Sequence, residues 1–369
     1  MQLGVFKSGV FALDVGGSSV VALHMTGDAT GLKLRACYEW PLPDGLVVDG
    51  EIVDGDLFAR ELRAFVGQHK LRGRAVHLAV SNQKVIVRNI DMPEMTDEEL
   101  RGAIEFQAQD YIPIPVDEVV LDFQVISKHL GADGAGRQEV LLVAAQRTMI
   151  DVFLRSMRQA GLKVAGIDVA SLALVRALAP PSSFLPEGDE AVHCRGIVDV
   201  ASSVTTLVVA VDRVPKFTRI INFSSDRFPR SLGELRRIPF DDAQTMAQRV
   251  GLPGPLPADD ELYSEMVVSE TRSQLAQIAA ELTDEIRRSF DYYQGQENAA
   301  PVQELVLSGR GALVRNLDAH VAEALDIPVR IGNPLTRISH NLSGVADESL
   351  AFLAPYLAVA IGLAIPEED

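Results

Sequence analysis

Two short stretches with the same pattern decide the fold: ALDVGGSSVVAL at residues 12–23 and IVDVASSVTTLVV at residues 197–209. Each is an apolar strand that ends at an aspartate, followed by a cluster of small residues and a second strand rich in valine. The two aspartates, Asp14 and Asp199, lie 185 residues apart, about half of the chain. A repeat of this length predicts two related α/β lobes, because solenoid repeats are much shorter.

The small residues after each aspartate have a chemical use. A strand that turns through glycine or serine presents backbone N–H groups that phosphate oxygens can approach closely. The aspartate at the strand end can hold Mg²⁺ directly or through water. A third turn of this type, LSGRGA at 307–312, follows a predicted strand and precedes a predicted helix. The pattern indicates two hairpins that face each other around phosphates, although each turn alone is also compatible with an ordinary loop.

Further out along the chain, the spacing of apolar residues and breakers predicts the remaining organisation. A meander of three strands, a helix at 56–70 and a strand at 75–81 predict an α/β lobe. The residues that follow predict a βαββα insert, whose helix begins at the capping box Thr96-Asp-Glu-Glu99 and ends before Pro113. A connector rich in proline and serine at 180–188 predicts the boundary between the two halves.

The predicted domains are a first lobe in two segments, an insert, a second lobe with a smaller subdomain, and a closing helix that returns to the first lobe. The first lobe is predicted at 1–83 and 166–185, and the insert at 84–165. The second lobe is predicted at 186–350, with its smaller subdomain around 226–295, and the closing helix at 351–369.

The composition excludes several classes of protein. The chain has 369 residues, a formal charge of −17 and 47% hydrophobic residues. This acidic balance argues against nucleic-acid binding, which requires clustered lysine and arginine. Two isolated cysteines, Cys37 and Cys194, predict neither a disulfide framework nor a structural zinc site, so we expect a cytoplasmic protein. The sequence has no Walker P-loop and no dinucleotide-binding glycine motif.

One uncharged segment is a candidate for a membrane span. Ser349–Pro366 is just long enough to cross a bilayer. Pro355 interrupts it, and it has no flanking cationic anchors. We therefore expect a buried C-terminal helix, and we expect no signal peptide because the apolar N-terminus has no basic leader.

Five longer stretches extend the pattern over nearly the whole chain: AIEFQAQDYIPIPVDEVVLDFQVI at 103–126, EVLLVAAQRTMIDVFLRSMRQAGLKVAGID at 139–168, TRIINF at 218–223, ELTDEIRRSFDYYQGQ at 281–296 and AVAIGLAI at 358–365. Together with the paired hairpins, they resemble the actin-like ATPase superfamily and, within it, the PilM family of type IV pilus assembly proteins. The resemblance implies an α/β actin-like ATPase fold with two duplicated lobes and an inserted subdomain of the kind found in FtsA.

The resemblance implies a site for ATP and Mg²⁺ between the lobes, with Mg²⁺ held through water by the two aspartates. The implied residues are those of the first phosphate loop (Asp14, Gly16, Gly17, Ser18, Ser19), the second loop (Asp199, Ser202, Ser203, Thr205), the adenosine turn (Gly309, Arg310, Gly311), and an acid and a base on one helix (Glu285, Arg288).

Several positions in this implied site depart from the family's pattern. Val21 stands where the family usually has lysine, and Ala201 stands where it has glycine. Ser224 and Ser225 replace a glycine pair, and Arg310 lies inside the glycine-rich adenosine turn. The resemblance thus supports the fold more than the nucleotide, and we expect weak ATP hydrolysis at most. Arg310 is a candidate for the positive charge that Val21 does not supply.

The resemblance also implies a partner, the N-terminal tail of a PilN-like inner-membrane protein, bound in a groove beside the insert. The candidate residues follow the helix of the insert: Tyr111, Ile112, Pro113, Ile114 and Pro115. Two rigid apolar corners next to a strand can wall a groove for an extended peptide. The alternative is that the prolines only stop the helix. Through this partner and other alignment-complex and motor proteins, we expect recruitment to the inner membrane.

Two other functions stay open on the sequence. One is a small-molecule kinase of the same superfamily, which needs a carboxylate base beside the substrate hydroxyl. The other is an FtsA-like filament on the membrane. FtsA-like proteins attach through an amphipathic C-terminal helix, whereas this chain ends in an apolar segment with an acidic tip.

Overall fold

The architecture is given by a computed structural model that describes residues 10–28, 31–131, 133–179, 193–254, 262–297 and 299–365. The predicted connector at 180–188 lies outside the described residues.

The first lobe is built on a mixed sheet of six strands: β1 (Phe11–Val15), β2 (Ser19–Asp28), β3 (Gly31–Pro41), β6 (Ala75–Val80), β10 (Lys163–Val169) and β16 (Ile338–Asn341). Their order is β10-β6-β1-β2-β3-β16. The antiparallel meander β1-β2-β3 forms as predicted, and β6 runs parallel to β1. Two short strands, β4 (Val47–Val48) and β5 (Glu51–Ile52), pair as a ribbon.

Helices cover both faces of this sheet, which explains why its central strands are apolar on both sides. One face carries α1 (Gly55–Gln68) and α3 (Arg147–Ala160), and the other carries α4 (Ala170–Leu178) and α10 (Ala358–Ala364). The helix α1 begins at Asp54, whose carboxylate accepts from the N–H groups of Asp56 and Leu57. The apolar side of α1 then packs Phe58, Phe65 and neighbours into the first core.

The second lobe repeats the plan with a sheet of five strands: β11 (Cys194–Val200), β12 (Thr205–Val211), β13 (Val214–Ile221), β14 (Glu304–Ser308) and β15 (Val329–Ile331). Their order is β13-β12-β11-β14-β15. Four helices belong to this lobe: α5 (Arg227–Arg236), α6 (Phe240–Arg249), α7 (Glu265–Gln294) and α8 (Leu317–Leu325). Because β1-β2 and β11-β12 are both antiparallel hairpins at the start of their lobes, the duplication seen in the sequence is also a duplication of structure.

The insert has a sheet and a small core of its own. Its elements are β7 (Val85–Pro93), α2 (Asp97–Tyr111), β8 (Val119–Leu130) and β9 (Gly136–Gln146). The strand order is β7-β9-β8, so β8 is an edge strand among the described residues. The predicted capping box forms, since the Thr96 N–H donates to Glu99 Oε2 over 2.9 Å and the Thr96 hydroxyl accepts from the Glu99 N–H. The insert rests against β13, where Lys216 Nζ lies 2.6 Å from Glu139 Oε1.

The structure differs from the predicted boundaries at α3. We expected this helix to be the last element of the insert, but it packs beside α1 in the core of the first lobe. The physical reason is its apolar stripe, in which Ile150, Phe153 and Met157 are buried together with Phe58. Amphipathicity predicts that such a stripe is buried but does not say against which sheet.

A second difference lies near the end of the chain. We assigned residues up to 350 to the second lobe, but β16 pairs in parallel with β3, so the chain returns to the first sheet at Ile338. After the helix α9 (Asp347–Leu353), a short 3-10 turn at Ala354–Leu357 leads into α10.

The uncharged C-terminal segment packs inside the first lobe. Residues Asp347–Ala364 are long and apolar enough to cross a membrane by length and composition, and 56% of that window is buried in the structure. The helix α10 lies so close to α4 that a Cβ on Gly362 would stand 1.9 Å from the Ala173 carbonyl oxygen. A glycine at this position permits the close approach of the two helices.

Candidate functional site

The first predicted loop is the turn between β1 and β2. Asp14, near the end of β1, lies opposite Val21 in the hairpin register. The Gly16 N–H donates to the Ser19 carbonyl over 2.9 Å and closes a tight turn. The turn leaves the backbone N–H groups of the residues between them directed toward the second lobe, as the next contacts show.

The second predicted loop is the turn between β11 and β12. Asp199 lies opposite Thr206, and its Oδ1 accepts a hydrogen bond from Ser308 Oγ over 2.7 Å. Thr205 is predicted for this loop, but its hydroxyl donates to the Phe223 carbonyl over 2.7 Å and is fully buried. Its role in the structure is therefore to tie β12 to the chain that follows β13.

The two loops meet in direct contact. The Gly17 N–H donates to Ser202 Oγ over 2.9 Å, and the Ser18 N–H donates to the same oxygen over 3.3 Å. A Cβ on Gly17 would stand 2.6 Å from the Ser202 carbonyl oxygen, so the backbones themselves touch. The N–H groups that the sequence assigns to phosphate are thus satisfied by a hydroxyl of the other lobe.

Between the loops lies a small polar cavity with a volume of about 40 Å³. Asp14, Asp199, Gly16 and Ser203 are in its wall. Burial, and then the charge of Asp199, raises the pKa of Asp14 to about 7. Burial raises the pKa of Asp199 to about 6, partly offset by the hydrogen bond from Ser308. Two carboxyl groups that resist ionisation therefore face each other in a space that holds a few water molecules.

The third predicted turn brings an arginine to the mouth of this cavity. Gly309 adopts φ +79°, a conformation that favours glycine, and its Cβ would clash with the Val200 backbone. Gly311 packs equally closely against the Val200 side chain. The next side chain, Arg310, reaches across to the first lobe, where its Nη2 lies 3.2 Å from Ser19 Oγ and 2.6 Å from Glu39 Oε1.

A tyrosine from the C-terminal segment completes this cluster. The Arg310 guanidinium carbon lies 4.3 Å from the ring centroid of Tyr356. The Tyr356 hydroxyl lies 2.5 Å from Ser19 Oγ and donates to Glu39 over 3.1 Å. Burial raises the pKa of Tyr356, so its proton is retained for this hydrogen bond. We call Ser19, Glu39, Arg310 and Tyr356 the arginine clasp.

Outside the arginine clasp the lobes enclose a wider cleft of about 540 Å³. Arg230 on α5 forms a two-pronged ion pair with Asp44 of the first lobe, at 2.5 and 3.2 Å. Asp226, Asp241 and Gln244 also line this outer cleft, and burial raises the pKa of Asp226 to about 6. Sequence reasoning missed these residues because no local motif sets them apart from ordinary helix residues.

The predicted acid and base on α7 lie elsewhere. Glu285 pairs with Arg288 at 2.5 Å and with Arg219 of β13 at 3.3 Å. Neither Glu285 nor Arg288 is among the residues that line the small cavity or the outer cleft. The structure therefore does not bring this pair together with the two loops, and its assignment to a nucleotide stays a prediction.

The residues between the lobes do not fit a nucleotide in this arrangement. A volume of about 40 Å³ compares with about 300 Å³ or more for a typical small-molecule pocket. The outer cleft is larger, but Glu39, Asp44 and Asp226 in its wall disfavour phosphate, and its arginines are paired. Among the described residues, no group of three or more His, Cys, Asp and Glu is arranged for a metal, so Mg²⁺ would rest on two carboxylates.

A second site lies on the insert, at the C-terminal end of α2, whereas the capping box lies at the N-terminal end. An open groove of about 980 Å³ runs between the end of α2, the turn that follows it, the edge strand β8 and the start of α3. We call it the insert groove. It is lined by Glu105, Gln109, Ile112, Pro113, Ile114, Pro115, Val116, Asp117, Val119, Val120, Leu121 and Arg147.

Four of the five residues predicted for the partner line this groove. Ile112 is also part of the insert core, with 4% of its surface exposed, and Ile114 is half-buried against that core. Pro113 and Pro115 are exposed. Tyr111 is 39% exposed and is not among the lining residues. The four residues that stop the helix are thus also part of the groove wall.

One end of the groove is fixed by an arginine that the sequence analysis did not single out. Arg147 Nη2 donates to the Val119 carbonyl over 2.6 Å, at the first residue of β8. Arg147 Nε also donates to the Asp117 carbonyl over 3.4 Å, and the side chains of Glu105 and Asp117 are further members of the lining. No local motif predicts this role for Arg147, because its hydrogen-bond partner Val119 lies 28 residues away in the sequence.

The chain is similar to known proteins over most of its length. A family model described as "Type IV pilus assembly protein PilM" matches residues 12–368. The cell division protein FtsA of Borreliella burgdorferi is 20% identical over 316 residues, which cover 78% of this chain and 71% of that protein.

Solved structures give the same fold. A PilM-PilN type IV pilus biogenesis complex matches with a TM-score of 0.78 and 24% identity, over 96% of this chain and 97% of that one. MreB5 of Spiroplasma citri bound to ADP matches with a TM-score of 0.55 and 13% identity, over 96% and 94% of the two chains. The predicted actin-like ATPase fold is therefore confirmed.

Proposed function

Because the chain belongs to the PilM family of type IV pilus assembly proteins, we propose that it is a scaffold whose insert groove binds the N-terminal tail of a PilN-like inner-membrane protein. The single observation that carries the proposal is the insert groove itself, an open space of about 980 Å³ beside an edge strand. A similar fold has been solved as a PilM-PilN complex.

The backbone of β8 supports an extended peptide as the ligand. Among the described residues β8 pairs with β9 on one side only, so its other edge carries N–H and C=O groups without strand partners. An added strand would pair with these groups, while alternate side chains would enter the apolar wall at Ile114 and Leu121. Backbone pairing would supply affinity, and the apolar wall would supply specificity.

The charges of the groove support an N-terminal segment in particular. Glu105 and Asp117 are both exposed in its wall. Arg147 is the cation in that wall, and it is held by the Val119 carbonyl. A free α-amino group or nearby basic side chains would complement these carboxylates, and steering by such charges raises association rates more than final affinity.

The proposed function leaves the two sequence-based alternatives weaker. Family membership favours a scaffold over a small-molecule kinase. A helix that attached a filament to a membrane would need an exposed apolar face, and α10 has none at Val359, Ile361 and Leu363, which are buried in the first lobe. In the proposed function the protein is cytoplasmic and reaches the inner membrane through its partner, with other alignment-complex and motor proteins as further partners.

The test measures binding of a synthetic N-terminal peptide of the PilN-like protein to the full chain by calorimetry. We expect Ile114→Asp to weaken binding at least about 100-fold, because a carboxylate would enter the apolar wall beside two existing carboxylates. The matched control is Phe106→Asp, which puts the same charge on an α2 side chain that is 84% exposed and does not line the groove.

The thermal midpoint is read for both variants. Loss of peptide binding by a protein that melts like the wild type supports the proposal. If Ile114→Asp unfolds the insert, the proline turn acts only in packing. If the wild type does not bind the peptide at all, the scaffold proposal is wrong.

A further inference from the structure

The lobes are joined at the place where the resemblance puts a nucleotide. Ser202 of the second loop accepts hydrogen bonds from two N–H groups of the first loop, at 2.9 and 3.3 Å. In a phosphate-binding loop these N–H groups would be the donors for phosphate oxygens. The Ser202 hydroxyl therefore occupies the acceptor position between the loops.

A cation also stands at this place. On β2, Ser19 and Val21 point to the same side of the sheet, because side chains alternate along a strand. Val21 is buried in an apolar cluster and supplies no charge. Arg310 reaches this same side from the second lobe and contacts Ser19 Oγ at 3.2 Å. The positive charge that is missing from β2 is thus supplied across the cleft.

In the arginine clasp, Arg310 is paired through its Nη2, while its buried Nε has no hydrogen-bond partner among the described residues. Arg310 has 18% of its side chain exposed and is paired with Glu39 at 2.6 Å. The Tyr356 ring covers its face, and the Tyr356 hydroxyl binds both Glu39 and Ser19. Because Glu39 is 41% exposed, the pair is only half-buried, and the ring and hydroxyl contacts of Tyr356 add to what holds Arg310 in place.

We propose that the space between the two loops, unlike the outer cleft, is filled by the chain's own side chains, with Ser202 in place of phosphate oxygens and Arg310 in place of a countercation, so that the lobes close without Mg-ATP. This inference does not rest on the proposed peptide function, since the insert groove and the cleft share no lining residue.

Electrostatics support the inference. A triphosphate that entered would have to displace Ser202 from the Gly17 N–H and separate Arg310 from Glu39. It would then face the carboxylate of Glu39, which would have lost its pairing with Arg310. Like charges repel, whereas the present contacts are already paired.

The first measurement is the thermal midpoint and the calorimetric binding signal of the full chain with Mg-ATP. A ligand at about 100 times its Kd would raise the midpoint by about 5 °C in a protein of this size. We expect a shift of less than about 1 °C at millimolar Mg-ATP and no saturable heat. Saturable binding that Asp199→Ala removes would overturn the proposal, whatever the peptide does.

The second measurement compares two arginines that the sequence assigned to the nucleotide. We expect Arg310→Ala to lower the midpoint by about 5 °C and Arg310→Lys to lower it less, because lysine keeps the charge but not the planar contacts. The matched control Arg288→Ala should change it by less than about 1 °C, since that side chain is 58% exposed. An Arg310→Ala protein that melts like the wild type would also overturn the proposal.

Discussion

The interlobe cleft and the insert groove are two concave regions of one chain with opposite states of their polar groups. Between the loops, about 40 Å³ remains, and the N–H groups of Gly17 and Ser18 have an acceptor within the protein. In the insert groove, about 980 Å³ is open, and one edge of β8 has no strand partner among the described residues. A region whose donors are satisfied internally gains little from a ligand, whereas an unpaired edge gains a hydrogen bond with every residue that joins it.

This contrast shows why neither the size of a cleft nor a sequence motif, taken separately, is a good guide to where a ligand binds. The loops carry the motif, yet their backbones touch. The groove carries no phosphate or catalytic motif, yet its backbone edge and apolar wall suit a peptide. Three experiments can break or sharpen the contrast, and they are ordered from the largest expected effect to the smallest.

The largest effect is expected from Gly17→Ala, which forces the loops apart. Its Cβ would stand 2.6 Å from the Ser202 carbonyl oxygen, and backbone cannot move aside as a flexible side chain can. We expect a loss of about 3 kcal/mol in the free energy of unfolding, measured by urea titration. Gly67→Ala is the matched control, because nothing lies within 4 Å of its Cβ and alanine favours the helix. Equal stability of the two variants would contradict the loop contact.

A smaller effect is expected from pH, through Asp14. Its pKa is raised to about 7 in the folded protein from an ordinary value of 3.8, so the folded state holds the proton more tightly than the unfolded state. The stability that protonated Asp14 contributes is therefore fully present below about pH 4 and is lost as the pH rises toward 7. Asp14→Asn should reduce this slope, leaving the part that the raised pKa values of Asp199 and Asp226 contribute near pH 6, and should stabilise the protein at pH 8 by about 2 kcal/mol.

The control for this pH profile is Asp44→Asn. Arg230 lowers the pKa of Asp44, so its contribution is lost only at acid pH, as the pH falls through that lowered pKa. Between pH 5 and 8 the Asp44→Asn curve should run parallel to that of the wild type. A wild-type curve that is flat over this range would contradict the burial of Asp14.

The smallest effect is expected in the insert groove, from Arg147→Gln. The change removes a hydrogen bond of 2.6 Å from a guanidinium to the Val119 carbonyl, which corresponds to about 1 kcal/mol of stability. Peptide affinity should fall by less than about tenfold, because β8 keeps its pairing with β9. Arg155→Gln, on the exposed side of α3, is the control, and calorimetry with the peptide measures both. A loss as large as that of Ile114→Asp would show that Arg147 itself binds the peptide.

Local pattern was sufficient for the duplicated hairpins and for the helix stop of the insert. The repeat of Asp14 and Asp199 predicted two facing turns, and the structure brings Gly17 and Ser202 together. Each turn alone is compatible with an ordinary loop, and it was the repeat of the pattern half a chain apart that predicted the pairing. The residues Ile-Pro-Ile-Pro likewise predicted both the end of α2 and an apolar wall.

Long-range contacts could not be derived in the same way. Glu39 and Tyr356 lie 317 residues apart and meet only because the C-terminal segment returns to the first lobe. The pair on α7 was expected at the cleft because the family resemblance implied it, for two residues one turn apart on a helix. Spacing fixes a face of a helix but not the surface that it meets, and α7 turns this pair toward Arg219 of β13.

The return of the chain at Ile338 has a consequence for the order in which the lobes can form during synthesis. The strands of the second sheet all lie between Cys194 and Ile331, so that lobe is complete before the last strand and helix of the first lobe leave the ribosome. The first sheet must wait for β16, and its far face must wait for α10. The lobe that is synthesised first is therefore completed last. Until α10 packs beside α4, the apolar face of the first sheet that α10 covers is exposed and can be bound by chaperones.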